Sequence, residues 1–128
     1  DWKILEPSSN MIYVLSEASA AFFGELYPFI SGYLGLFGGF LSGSEAPAIA
    51  MFTKYHILTS GLLGADALIV TAVTAIGAGL ASVISPAKLQ NAAATIDALG
   101  IESRVIKTAF KVSALITLAA SIMALSWA

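Results

Sequence analysis

The sequence predicts an all-α integral membrane protein, and two observations carry that prediction. Only 11% of the 128 residues are charged and 58% are hydrophobic, whereas soluble domains have roughly 25% charged residues. The charges are also clustered, which leaves charge-free stretches of 19, 21 and 17 residues at 26–44, 67–87 and 112–128. Each stretch is close to the roughly 20 residues that cross a bilayer as a helix. We therefore expect a single membrane-embedded unit over 1–128, and a piece of a longer polypeptide, because so few passes make an incomplete bundle.

The same composition argues against several other classes of function. A net charge of −2 without a basic stripe argues against nucleic-acid binding. The absence of cysteine excludes disulfides, thiolate metal sites and cysteine nucleophiles. One histidine and scattered acids form no metal-ligand cluster and no nucleophile–base pair. We therefore expect neither an enzyme nor a bound metal or cofactor.

The first elements along the chain are short. Residues 1–10 are polar, which predicts a loop or an interfacial lead-in. The stretch 11–24 has the composition of a short helix, with Glu17 in its middle. Glu17 is either a carboxylate close to the membrane surface or a functional group inside the protein, and the sequence leaves both possibilities open.

The segment 27–56 predicts a re-entrant helical hairpin. Its arms, 27–41 and 47–56, would form about 22 Å and about 15 Å of helix, both short of the roughly 30 Å hydrocarbon core. A Ser-Gly-Ser-Glu-Ala-Pro turn joins them. Irregular backbone at membrane depth is tolerated only where it is buried in protein or lines a cavity. The alternative is one continuous helix over 27–52 with a kink at Pro47.

Three glycines recur at every fourth residue across the first arm and the turn, at Gly35, Gly39 and Gly43. Residues with this spacing share one face of a helix. Glycines on one face of a membrane helix let a second backbone approach closely. We therefore expect this face to pack against another helix.

A second interruption is predicted within a broken helix over 62–99. The apolar run 62–84 is followed by Pro86, which cannot donate a backbone hydrogen bond to the preceding turn. A helical pattern then resumes and is expected to end at Gly100, since glycine is the usual residue after a helix C-terminus.

The last segment, 104–127, predicts a transmembrane helix. Arg104, Lys107 and Lys111 stand at its start and Trp127 near its end. Cations and tryptophan anchor helix ends at the two membrane interfaces. By the positive-inside rule, the Arg104 end is expected on the cytoplasmic side.

The two interruptions hold the candidate binding residues. Where a helix breaks, backbone groups lose their partners, and the N-terminus of each half-helix carries partial positive charge that suits a small organic anion. Paired broken helices are a sequence pointer to the binding site of a transporter. The candidate substrate-binding residues are Ser42, Gly43 and Ser44 at the first break and Ser85, Pro86, Lys88 and Asn91 at the second.

Several of these residues have an alternative explanation. Lys88, Asn91 and Thr95 are spaced i, i+3 and i+7, which fits a cavity wall or an amphipathic helix lying at the membrane interface. Glu45 is a candidate proton-coupling residue, because a carboxyl group inside a membrane is costly when charged. It is otherwise a loop glutamate that reaches water or neutralises a lysine. His56 is expected at a segment boundary.

Three pieces of the sequence resemble the lactate permeases, a family of proton-coupled symporters of lactate and glycolate. These pieces are PFISGYLGLFGGFLSGSEAPAIAMF, VISPAKLQNAAAT and LGIESRVIKTAFKVSALI. The first keeps the Gly-Tyr-Leu-Gly-Leu-Phe run at 32–37 and a Gly-Ser-acid turn at 43–45, and the second keeps Ile-Ser-Pro at 84–86. The third keeps a Gly-x-Glu-Ser pattern at 100–103. The resemblance covers 27–128.

The chain also departs from the family pattern. Glu45 stands where the family has aspartate, and Ala46 stands where it has threonine. A Gly-Lys pair that precedes the second family motif is Ala81-Ser82 here, so that lysine is absent. These departures leave the substrate open.

The resemblance implies a scaffold of inverted repeats with re-entrant hairpins, of which this chain would be the C-terminal part. It implies a multi-pass carrier of the plasma membrane, which takes up lactate- or glycolate-type monocarboxylates together with protons. Its partners would be the lipid bilayer and the remainder of the same chain. One alternative is a sodium-coupled carrier of di- or tricarboxylates. Another is a structural membrane subunit that only packs helices, which predicts continuous helices across 42–47 and 77–87.

Overall fold

The computed structural model describes residues 10–128, which fold as six α-helices and one short 3₁₀ turn. The helices are α1 (Met11–Phe23), α2 (Tyr27–Ser42), α3 (Glu45–Leu63), α4 (Ala67–Ser82), α5 (Pro86–Thr95) and α6 (Glu102–Trp127), with the 3₁₀ turn Gly24–Leu26 between α1 and α2. No strand occurs among these residues, so the all-α prediction is confirmed. The lead-in expected over 1–10 lies outside the described residues except for Asn10, whose side chain accepts the Ile12 N–H at 3.0 Å and caps α1.

Two glycines reverse the direction of the chain on either side of α3. Gly43 ends α2 with φ 66° and Gly64 ends α3 with φ 71°, both in the left-handed region that favours glycine. The Asp66 carboxylate then accepts the Leu68 N–H at 2.8 Å and caps α4. Consequently α3 runs antiparallel to α2 and α4, while α2 and α4 run parallel to each other.

The second arm of the hairpin is longer than the sequence analysis predicts. The expected arm ended at His56, but α3 runs to Leu63, and its 19 residues make about 28 Å of helix. The expectation was wrong because the polar run 54–56 resembles a segment boundary, whereas His56 is buried among the helices. The alternative of one continuous helix over 27–52 is also wrong, because Gly43 interrupts it. Pro47 is accommodated in the first turn of α3, where a backbone N–H has no helical partner.

The helix predicted over 62–99 has different limits in the structure. It begins at Ala67, and three residues separate the end of α4 at Ser82 from Pro86, where α5 starts. The predicted end at Gly100 is wrong, since α5 stops at Thr95 and Asp97 adopts φ 52°. Aspartate tolerates the left-handed conformation better than most residues, and it terminates the helix before the glycine is reached.

The closest helix pair is α2 and α4, which touch backbone to backbone. A Cβ on Gly35 would collide with the Thr74 carbonyl, and a Cβ on Gly39 would collide with the backbone of Ala78. From the other side, Gly77 leaves no room for a Cβ against the Gly32 carbonyl. The expectation that Gly35 and Gly39 let another backbone approach is confirmed, and small residues at such an interface are typical of membrane helices.

Helix α6 packs antiparallel against α2. The Phe40 and Phe110 rings meet edge to face with centroids 5.7 Å apart, and further along the pair the Tyr33 hydroxyl lies 3.5 Å from the Ala114 carbonyl. The beginning of α6 therefore lies at the same end of the bundle as the tip of the α2–α3 hairpin. Helix α5 packs against this beginning of α6.

The interior of the bundle is polar and its outside is apolar. Apart from glycine and proline, twelve of the described buried residues are polar and eleven are hydrophobic, while large apolar side chains such as Met11, Phe22 and Leu68 are exposed. This arrangement suits lipid surroundings, where apolar side chains gain nothing by burial against each other. Two described segments, Ala67–Thr95 and Glu102–Trp127, are long and apolar enough to cross a membrane by length and composition. The structure is that of an all-α membrane protein.

Candidate functional site

The two helix breaks meet at one end of the bundle. A Cβ added to Gly43, at the tip of the α2–α3 hairpin, would lie 3.0 Å from the Oγ of Ser85, at the α4–α5 break. The breaks coincide because α2 and α4 run parallel and each has 16 residues. The structure thus brings the predicted site residues of the tip close to Ser85, and the contacting pair, Gly43 and Ser85, is 42 positions apart in sequence. We call this region the tip junction, defined by 42–45 and 83–86.

Two serines of the tip junction stand at helix N-termini without capping them. Ser44 is the N-cap of α3 and Ser85 the N-cap of α5, and neither side chain accepts a hydrogen bond from its own helix. Ser85 is 2% exposed, and its Oγ has no hydrogen-bond partner among residues 10–128. A buried hydroxyl without a partner is rare in folded proteins and calls for an explanation.

The hydroxyl of Ser42 forms its hydrogen bonds within the tip itself. It donates to the Ser44 carbonyl at 2.7 Å and accepts the Ser44 N–H at 3.2 Å. These two bonds hold the turn between α2 and α3 closed. The side chains of Ser44 and Ser85 are therefore the hydroxyls of the tip junction that remain available to a ligand.

Glu45 is the first residue of α3, and its carboxylate lies over α4. Its Oε2 and Oε1 atoms lie 3.3 Å and 3.9 Å from the place that a Cβ on Gly79 would occupy. The partial positive charge at the N-terminus of α3 stabilises a negative charge there. Glu45 is exposed, which agrees with the alternative of a glutamate that reaches water.

Three further predicted residues lie on α5 and point away from the bundle. Pro86 is the first residue of α5, and it is exposed, as are Lys88 and Asn91. The buried residue of α5 is Ala93, which faces α6. Neither Lys88 nor the Asn91 side chain forms a hydrogen bond to Ser44 or Glu45 in residues 10–128, so the structure does not bring this polar face onto the tip junction.

The end of the bundle that holds the tip junction carries most of the positive charge of the described chain. Lys88 is on α5, and Arg104, Lys107 and Lys111 lie on the first turns of α6, all exposed. Because Phe40 contacts Phe110, the tip lies level with this basic stretch. Clustered cations at one end raise the local concentration of small anions.

The sequence analysis missed a buried histidine in the middle of the bundle. His56, expected at a boundary, is 0% exposed. The Tyr27 hydroxyl lies 2.7 Å from its Nδ1, and the Thr74 Oγ1 lies 3.0 Å from its Nε2. One signal could have revealed it, since Thr59 and Ser60 follow at i+3 and i+4 and extend a polar face along α3.

No group of three or more histidine, aspartate or glutamate side chains that could hold a metal ion occurs within residues 10–128. The chemistry of the tip junction is therefore that of hydroxyls, helix N-termini and one carboxylate. Hydroxyls and helix N-termini donate hydrogen bonds to anions, and a carboxylate can bind a proton.

A polar-cored helical bundle with an apolar exterior, in which two broken helices meet, is an arrangement typical of membrane transporters. The chain belongs to the L-lactate permease family, whose model matches residues 3–128. That match extends further toward the N-terminus than the resemblance seen in the sequence.

Two curated relatives support this assignment. The L-lactate permease of Escherichia coli strain K12 is 29% identical over 94 residues, which cover 73% of this chain and 17% of the relative. The L-lactate permease of Escherichia coli O6:H1 strain CFT073 gives the same figures. The chain thus matches only about a sixth of the length of these relatives, and no solved structure matches it.

Proposed function

We propose that this chain is the part of a secondary transporter that binds a small monocarboxylate at the tip junction and couples its uptake to protons. The observation that supports this most is the approach of Gly43 to Ser85, which places the N-termini of α3 and α5 side by side. Each N-terminus offers backbone N–H groups and a serine hydroxyl that its own helix does not use. A carboxylate is the natural acceptor for such donors.

The size of the donor set favours a small substrate. Both helices carry a proline in the first turn, Pro47 and Pro86, which removes one N–H from each. The remaining amides, with the hydroxyls of Ser44 and Ser85, suit one carboxylate and one neighbouring hydroxyl. Lactate and glycolate carry these two groups, and the relatives are named for lactate.

Glu45 supplies a physical reason for coupling to protons. Its carboxylate and that of the substrate would compete for the positive end of α3, since two negative charges at one helix N-terminus repel each other. Protonation of Glu45 removes this competition and leaves the donors to the substrate. The proton and the anion then bind together, and the charge of the tip junction stays the same.

The wider setting of the site belongs to the same proposal. The permease would be a multi-pass protein of the plasma membrane, with the Arg104 end of α6 on the cytoplasmic side and the hairpin entering the membrane as a re-entrant element. Its other partners would be the lipid bilayer and the rest of the permease chain. Lys88 and Asn91 would contact substrate only if that rest of the chain, or another conformation, brings α5 over the tip.

The alternatives make different predictions. A subunit that only packs helices predicts continuous helices across 42–47 and 77–87, and the breaks at Gly43 and Val83–Ser85 contradict it. A sodium-coupled carrier of di- or tricarboxylates needs an ion site, and its larger substrates need more donors than the tip junction offers.

The experiment that tests the function is uptake of labelled L-lactate by cells that express the full-length permease. Accumulation should be abolished by a protonophore, unaffected by replacing sodium, and reduced by unlabelled glycolate more than by succinate. Accumulation that requires sodium, or that succinate inhibits best, would instead support the di- and tricarboxylate carrier.

The Glu45→Gln variant tests the proposed proton site. It should keep lactate exchange between loaded vesicles and medium, yet lose protonophore-sensitive accumulation, since glutamine is permanently neutral. Asp97→Asn is the matched control, because Asp97 is an exposed acid in the turn after α5 and asparagine tolerates the same left-handed conformation. If Glu45→Gln accumulates lactate as the wild type does, the carboxylate has no part in coupling.

A further inference from the structure

His56 is tied to three helices in the interior of the bundle. It lies on α3, receives the hydroxyl of Tyr27 from α2 at 2.7 Å, and meets the hydroxyl of Thr74 from α4 at 3.0 Å. The ring is fully buried and lies about 16 Å along α3 from Glu45, as eleven residues separate them. It is therefore distinct from the tip junction.

The hydrogen bonds assign one neutral tautomer to the ring. The Thr74 Oγ1 lies 2.9 Å from the Val70 carbonyl and 3.0 Å from the Ser31 carbonyl, so its single hydrogen is directed to a backbone oxygen. The His56 Nε2 then donates to Thr74, and Nδ1 accepts from Tyr27. The polar side-chain groups of Tyr27, His56 and Thr74 all have hydrogen-bond partners when the imidazole is uncharged.

No group among residues 10–128 that lies close to the ring would compensate a positive charge. The titratable groups that face it are Tyr27 from α2 and Tyr55 beside it on α3. Helix α4 presents Thr74 to the ring, and the α1 residues Ser16 and Ser19 contact Tyr55 instead of the ring. The charged residues of α1 to α4 and the turns between them are Glu17, Glu25, Glu45, Lys54 and Asp66, and all are exposed. A protonated imidazole inside this arrangement would be a buried charge without a counter-ion, which is strongly unfavourable.

Protonation would reverse one bond of the ring and leave a charge inside the bundle. A proton added to His56 goes to Nδ1, which then donates to the Tyr27 hydroxyl oxygen, so that hydroxyl must direct its own hydrogen elsewhere. The bond from Nε2 to Thr74 is kept, and the change at the α2–α3–α4 interface is therefore a buried positive charge without a counter-ion. The interface therefore has two states that differ by one proton.

A surface pocket of about 580 Å³ lies at the end of the bundle opposite the tip junction, and Glu25, Pro28 and Leu63 are among the residues that line it. Pro28 adjoins Tyr27 in sequence, and Leu63 follows His56 by seven residues, or two turns of α3. Ser60 lies between them on the same helix, and its buried Oγ has no hydrogen-bond partner among residues 10–128.

We propose that His56 is a second proton-binding site of the permease, neutral in the arrangement described here, whose protonation loosens α3 from the α2–α4 pair. This inference rests on the proposed proton-coupled function. The proton comes from water on one side of the membrane, binds Nδ1, and is returned to water when the ring becomes neutral again. The imidazole is unchanged over the cycle.

The test uses the full-length permease and three variants, with membrane abundance and lactate exchange measured beside accumulation. His56→Gln should retain exchange and lose at least tenfold in protonophore-sensitive accumulation. Tyr27→Phe removes a hydroxyl that donates to the neutral ring but accepts a stronger, charge-assisted bond from the protonated ring, so the pH of half-maximal accumulation should fall by about 0.5 to 1 unit. Tyr33→Phe, on the same helix but with its hydroxyl toward α6, should leave that pH unchanged.

The outcomes separate this inference from the proposed function. If a protonophore has no effect on lactate accumulation by the wild type, both the proposed function and this inference are contradicted. If the wild type is sensitive but His56→Gln, at normal abundance, accumulates lactate as well as the wild type, the inference alone fails. If His56→Gln does not reach the membrane, the comparison of Tyr27→Phe with Tyr33→Phe decides, and identical pH profiles contradict the inference.

Discussion

Gly43 lies against Ser85, so that a Cβ on the glycine would stand 3.0 Å from the serine Oγ and 3.4 Å from its Cβ. This contact joins the tip of the α2–α3 hairpin to the break between α4 and α5. Both residues precede a helix by one or two positions, so the contact also brings two helix N-termini together. The proposed substrate site depends on this relationship.

Substitution of Gly43 should affect both stability and transport. Gly43→Ala places a side chain at φ 66°, which costs about 1–2 kcal/mol, and also presses on Ser85. Gly64→Ala is the matched control, because Gly64 has φ 71° and nothing within 4 Å of an added Cβ. The melting temperature of the purified permease should fall by a similar amount in both variants. Only Gly43→Ala should raise the KM for lactate. Equal KM values in the two variants would contradict a role of the contact in binding.

Removal of the unpartnered Ser85 hydroxyl should weaken substrate binding without lowering the stability of the permease. Ser85→Ala removes a group that has no hydrogen bond in the described chain, so stability should not fall. If the hydroxyl donates to a carboxylate, its loss should weaken lactate binding by about tenfold to a hundredfold. Ser121→Ala removes another buried, unpartnered hydroxyl, on α6 against Gly32, and should leave binding unchanged. Binding is measured by titration of lactate against the purified permease.

The α2–α4 contact should tolerate no side chain. Gly39→Ala sets a methyl group against the Ala78 backbone, which cannot yield without separating the two helices. We expect a lower melting temperature and lower abundance in the membrane. Gly61→Ala, on α3 with open space around the added methyl, should be neutral or stabilise the helix by up to about 1 kcal/mol. A Gly39→Ala permease as stable as wild type would contradict the packing.

Much of this fold could be predicted from local signals in the sequence. The Ser-Gly-Ser-Glu-Ala-Pro turn at 42–47 and the proline at 86 indicate where helices break, and the charge-free stretches indicate that the helices are apolar. The register of α2 against α4 could not be predicted, because it depends on which glycines meet which backbone atoms of another helix. That register is what brings Gly43 to Ser85.

The role of single polar residues was harder to predict. His56 follows Lys54 and Tyr55, and a polar triplet ordinarily marks the end of a membrane segment. Its burial follows from the packing of α3 against α1, α2 and α4 together, which no local pattern encodes. The polar face of α5, with Lys88 and Asn91, fitted two environments equally, and its exposure in the bundle depends on how α5 packs against α6.

The measurement that tests the central claim most directly is substrate protection of single cysteines at the tip junction. Ser44→Cys and Pro86→Cys, at positions of the tip junction that are partly or fully exposed, are introduced one at a time into the full-length permease, freed of any other cysteine, and treated with a water-soluble thiol reagent. A cysteine at Ser126, exposed at the opposite end of the bundle, is the control. We predict that both junction cysteines react, that lactate slows their reaction at least several-fold, and that the control is unaffected. Junction cysteines that resist the reagent, or react equally fast with and without lactate, would contradict a substrate site at the tip junction.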